Sequence, residues 1–191
     1  MTSPRLALVV SLAVLLLPSM APAQTTEPTT FPELVKSAQR IFVGEVVAVD
    51  SFRADNAGGL RIRTRVTFNV DDALRGSGRI AILEFLGGTV GDLTQEIADQ
   101  PLFAKGERYV VFARDGDRWV NPIVGSTDGL LRISRDVRDG TARVLTAAHA
   151  PLPNVMAIGQ GVTRVSPTMS MPMSLAGFIS DIRAEMTRQS R

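Results

Sequence analysis

From Leu60 to Asp71 apolar and polar residues alternate without a break. Leu60, Ile62, Thr64, Val66, Phe68 and Val70 fall on one side, with Arg61, Arg63, Arg65, Thr67, Asn69 and Asp71 on the other. A period of two held over twelve residues predicts a strand with one face on a core and the other carrying three arginines. Before it, the valine-dense stretch 41–49 predicts a first strand, with Gly44 marking a bulge or a sharp bend. Residues 80–86 resume as a third strand that closes on Gly87-Gly88, and the strongly apolar stretch 108–114 forms another. Short strands are expected over 118–124, 130–134 and 142–146. They are punctuated by Asp115-Gly116, Asp128-Gly129 and Asp139-Gly140, pairs in which glycine tolerates positive φ. The stretch 89–105 has no firm period and contains Pro101, which marks a long ordered excursion.

Helical spacing is confined to the two ends of this region. Thr30 and Glu33 make a capping box, Phe31 leads in, and Leu34, Val35 and Ala38 share a face, so a short helix over 32–39 is predicted. Near the C-terminus Ser174 caps a helix in which Leu175, Phe178, Ile179, Ile182 and Met186 form a stripe expected to dock on its own domain. Between strands and helix, residues 149–173 combine Pro151, Pro153, Pro167 and Pro172 with glycine and methionine, and read as a linker or an arm on the domain.

The first 23 residues follow a different logic. Arg5, an apolar stretch over 6–17 broken only by Ser11, then Pro18 and Ala21-Pro22-Ala23 have the layout of a secretory signal peptide cleaved between Ala23 and Gln24. The stretch is shorter than the roughly 20 apolar residues a bilayer span needs. The mature chain is therefore expected to carry no transmembrane segment and to be periplasmic or secreted, in a bacterial setting. The absence of cysteine fits an exported bacterial protein that does without disulfides. Lys36 and Lys105 are the only lysines, and without Arg5 the cations exceed the acids by one, which is weak support for a polyanionic partner.

The expected organisation is a signal peptide (1–23), a mainly β domain with its N-terminal helix (24–148), the arm (149–173) and a C-terminal amphipathic helix (174–191). Five to seven strands with one long excursion predict a five-stranded OB-like Greek-key barrel with extra short strands. Three segments also resemble the netrin-like module, which includes the tissue inhibitors of metalloproteinases. They are 38–46 (AQRIFVGEV), 70–74 followed by Arg75-Gly76, and Gly106-Glu107-Arg108-Tyr109-Val110-Val111-Phe112. Leu86-Gly87-Gly88-Thr89-Val90-Gly91 with Pro101-Leu102-Phe103 is similar to uncharacterised exported bacterial proteins of that shape. The resemblance spans about residues 31–135 and implies the barrel fold and a protein partner, with a secreted protease as the class it points to. The inhibitors place an N-terminal cysteine on the target's zinc. This chain has no cysteine and its expected first residue, Gln24, can cyclise, so that mechanism does not carry over.

Candidate chemistry is sparse. A hydrolytic triad needs a base against a nucleophile, and the sole histidine, His149, opens the proline-rich arm. No glycine-serine elbow, phosphate loop or dinucleotide fingerprint is present. Asp71-Asp72 reads as a strand end, and Asp115 and Asp117 as turn residues. Met169, Met171 and Met173 with His149 offer soft ligands for Cu(I), set against methionine as a flexible filler. Arg61, Arg63 and Arg65 offer guanidinium groups for an anionic envelope polymer, set against a solvated face. Few aromatic residues stand near them for base stacking, and no nucleic-acid partner is expected. The chain is read as an exported, non-enzymatic binding module of the cell envelope or secretome, without a cofactor. Its alternatives are a Met-rich copper-binding protein and a binder of an anionic polymer.

Overall fold

The structure, a computed structural model, describes residues 29–56, 59–76, 78–116, 120–160 and 171–191. It is mainly β. Helix α1 (Phe31–Ser37) is followed by β1 (Arg40–Asn56), β2 (Gly59–Arg75), β3 (Ile80–Leu86), β4 (Gly88–Val90) and β5 (Leu93–Gln95). Then come β6 (Arg108–Ala113), β7 (Leu130–Arg135), β8 (Ala142–Leu145), a single 3-10 turn (Val155–Ala157) and α2 (Leu175–Gln189). Six strands form one antiparallel sheet in the order β3-β2-β1-β6-β7-β8, and β4 and β5 form a separate hairpin.

The sheet has a core on each face. On the helix side Ile41, Val43, Val110, Phe112, Leu131 and Val144 pack with Phe31, Leu34 and Val35 of α1 and with Phe178 and Ile182 of α2. The Phe178 ring lies 5.9 Å from Phe31 and 6.3 Å from Phe112. On the other side Phe42, Val46, Val66, Phe68, Leu83, Phe85, Tyr109 and Val111 pack together, with Phe103 laid against them. Being buried on both faces is what makes 41–43 and 109–113 continuous apolar runs. β2 is buried on one face only: Ile62, Val66 and Phe68 point inward, while Arg61 and Arg65 are exposed.

Gly44 sits where the β1–β2 register shifts, and a Cβ there would stand 2.8 Å from the Asn69 carbonyl oxygen. That close approach lets β1 bend, so its first part (Arg40–Glu45) pairs with β6 while the remainder leaves β6 and runs on with β2, flanked by β3 as far as Phe52 and two-stranded only at its tip. The sheet curls until its β3 edge comes near the end of β6, where the gap is bridged without a ladder. Leu86 N–H donates to the Val120 carbonyl (2.9 Å). Arg40 donates to the Ile82 carbonyl (3.3 Å) and pairs with Asp115 (2.7 Å).

Several elements differ from expectation. Over 118–124 there is no strand among the described residues, only an isolated bridge between Ala113 and Ile123. Pro122 has no N–H to give a ladder. β1 and β2 run longer than expected: β1 past Val49 is held by pairing with β2 in the arm, and β2 past Asp71 by pairing with the buried start of β1. The excursion holds the β4–β5 hairpin, turned at Gly91 (φ +60°). Phe31 lies inside α1 rather than ahead of it; Glu33 reaches back to the Thr30 N–H at 2.8 Å. In the arm, Leu152 and Ile158 are buried in the helix-side core. The expected cleavage site at Ala23 and Gln24 lies outside the described residues. Among the described residues no helix is long and apolar enough to cross a membrane.

Candidate functional site

The long β1–β2 arm and the 87–103 excursion enclose a cleft of about 550 Å³. Its floor begins with two hydroxyls facing each other across the arm: Ser51 and Thr64 are register partners, and their oxygens are 2.9 Å apart. Thr64 gives its only proton to the Gly87 carbonyl (2.7 Å), so Ser51 donates to Thr64. The excursion comes so close here that a Cβ on Gly88 (φ +128°) would lie 2.3 Å from the Thr64 oxygen and 2.5 Å from that of Ser51. Beyond it, the Gln95 side chain accepts from the Ile62 N–H at 2.8 Å, and Gly87 N–H donates to the Ile62 carbonyl at 2.7 Å. These bonds tie the excursion to the floor through backbone groups and the Ser51, Thr64 and Gln95 side chains.

The walls are mixed: Thr89, Thr94, Glu96 and Gln100 line the cleft beside its apolar residues. Phe85 and Phe103 close the inner end, and the Phe103 ring stacks within 5.9 Å of Phe68, 5.1 Å of Phe85 and 5.6 Å of Tyr109. At the mouth Val49 is 39% exposed and Leu102, next to the anchored Phe103, is 89% exposed. Gln100 donates to the Val120 carbonyl (2.8 Å), while its own buried carbonyl oxygen has no partner. Nearby, edge strand β3 turns Ile80 and Ile82 to solvent.

The excursion is fastened at its end by Glu107. Its carboxylate accepts from Tyr109 O–H (2.6 Å), from the Ala104 N–H (3.0 Å) and from Arg132 (2.5 Å), whose guanidinium also lies 5.1 Å from the Tyr109 ring centre. Burial by itself would raise the Glu107 pKa, but the three donors outweigh it and hold the group at about 2. Burial, and then the bond to Glu107, push the Tyr109 hydroxyl well above its ordinary value. A carboxylate fixed in this way is a structural anion, poorly suited to exchanging protons near neutrality.

Arg61, Arg63 and Arg65 do share one face, but Arg63 and Arg65 both reach Glu84. Arg65 donates to it at 2.9 and 2.7 Å and lies over the Phe52 ring at 4.9 Å; Arg63 approaches at 3.5 Å. Arg61 is exposed. The methionines do not share an environment: Met173 packs against the helix-side core, Met171 is exposed, and Met169 lies outside the described residues. His149 lines a different cleft, with Arg108, Arg132 and Arg135. Among the described residues no group of three or more His, Cys, Asp or Glu is placed to hold a metal ion.

Comparison with protein-family models, with curated proteins and with solved structures finds no match. The functional reading therefore rests on the geometry of the cleft. Its residues were largely silent in the sequence. By periodicity Gly87-Gly88 registers there as a strand end and Phe103 as part of an unpatterned stretch, and only the resemblance carried by 86–91 and 101–103 and Gly106-Glu107 leading into the Tyr109 strand draw notice to them.

Proposed function

We propose that the chain is an exported, non-enzymatic binding module of the OB type, acting at the cell envelope or outside it, and that it seats an apolar side chain of a partner protein in the 550 Å³ cleft. The observation that carries this reading is the pairing of exposed Val49 and Leu102 at the mouth with a hydrogen-bonded floor. Apolar groups held in place before binding lose little entropy on association, which is the usual character of an interface hot spot. The order β3-β2-β1-β6-β7, bent at Gly44 and curled until β3 nears β6, supports the OB-type assignment. The resemblance to the netrin-like module makes a secreted protease the first partner class to test.

The test is capture from envelope and secretome with the chain from Gln24, followed by a binding titration with the retained protein. Leu102→Asp is expected to weaken binding by about tenfold or more, since a fully buried leucine is worth roughly 1.5–3 kcal/mol. Equal binding by the wild type and by both Val49→Asp and Leu102→Asp would overturn the assignment.

A further inference from the structure

A second cleft of about 440 Å³ opens where β6 begins and β7 ends, and the turn after β8 contributes to it. Arg108, Arg132, Ser134, Arg135 and His149 line it, together with a single carboxylate, Glu107. The charges do not cancel. Glu107 is committed to Arg132, Tyr109 and the Ala104 N–H, and Arg108 pairs with Asp71 at 2.6 Å. Arg135 donates to the Gly140 carbonyl (2.9 Å), and among the described residues no carboxylate pairs with it. His149 is exposed and is held at φ +63°, a left-handed conformation that favours glycine. It is set there by the turn in which its N–H donates to the Thr146 carbonyl (3.0 Å).

We infer that this cleft binds an oxyanion, with Arg135 supplying the positive charge and the His149 ring N–H and the Ser134 hydroxyl as further donors. Arginine offers a planar fork of donors that matches a phosphate or sulfate edge, and the Glu107–Arg132 pair fixes the neighbouring wall so that the cleft is formed before the anion arrives. The ligand chemistry is a phosphate or sulfate group, either as the free ion or on a lipid headgroup. The site is separate from the first cleft, so each assignment stands or falls by itself.

The experiment is an NMR titration of the chain from Gln24 with sodium sulfate at constant ionic strength, chloride making up the balance. Amide shifts are expected at Ser134, Arg135 and His149, with sulfate affinity falling about tenfold or more in Arg135→Glu and about threefold in His149→Ala. Arg79→Glu, an exposed charge change just before β3, is expected to bind as the wild type does. Sedimentation with phosphatidylglycerol vesicles separates the sources: retention lost in Arg135→Glu identifies a headgroup ligand, and sulfate binding without retention identifies a free ion. Shifts that are absent, or identical in wild type and Arg135→Glu, would overturn the site.

Discussion

Replacing Glu107 by glutamine removes one charge and keeps the shape. Glu107 falls from an ordinary 4.5 to about 2 in the fold. At about 1.4 kcal/mol per pKa unit this corresponds to roughly 3 kcal/mol. The side chain is 26% exposed, and solvent screening trims the figure to roughly 2 kcal/mol. Because the folded pKa is depressed, the contribution is complete above pH 4.5 and drains away as pH falls toward 2. For a chain of this size, Glu107→Gln is expected to lower Tm by about 4–8 °C at pH 7. Thermal unfolding followed by circular dichroism at pH 7, 5, 3 and 2 reads the effect directly, with the gap between variant and wild type shrinking below pH 5. Equal Tm values at pH 7, or a gap as wide at pH 2 as at pH 7, would refute the argument.

Two further outcomes follow from backbone geometry. Gly88→Ala forces a Cβ into the Ser51 and Thr64 hydroxyls at positive φ, and is expected to cost about 2–4 kcal/mol in urea denaturation, with the first cleft lost at the same time. His149→Gly relieves a left-handed residue and is expected to stabilise the fold by roughly 0.5 kcal/mol while weakening sulfate binding, read by the same denaturation and by the titration above.

What the sequence disclosed depended on what each residue faces. β2 was legible because one of its faces meets a core and the other meets water, and β3 for the same reason over Ala81, Leu83 and Phe85. The capping residues Thr30 and Ser174 announced both helices, since a cap is a local hydrogen bond: Ser174 accepts from the Gly177 N–H at 3.1 Å. The stretch around Ile123 misled because burial without a ladder leaves the same apolar signature as a strand, and only Pro122 signals the difference. The arm of β1 past Asp50 and the short β4–β5 hairpin are held by pairing rather than by burial, so they left no period to read. The cleft was hidden for a related reason. Ser51 meets Thr64 and Glu107 meets Arg132 only after the chain has folded, and neither residue type carries a signal of its own.

Helix α2 has a consequence for the order of assembly. Phe178 and Ile182 complete the helix-side core, and Gln189 donates to the Pro32 carbonyl at 2.8 Å, tying residues 157 positions apart. Until this fifteen-residue helix is in place, Phe31 and Phe112 lack the Phe178 ring that packs against both. A chain cut short before Leu175 would keep its meander of β1, β2 and β3 yet leave Phe31 and Phe112 without the Phe178 ring, so the helix-side core closes only once α2 has docked.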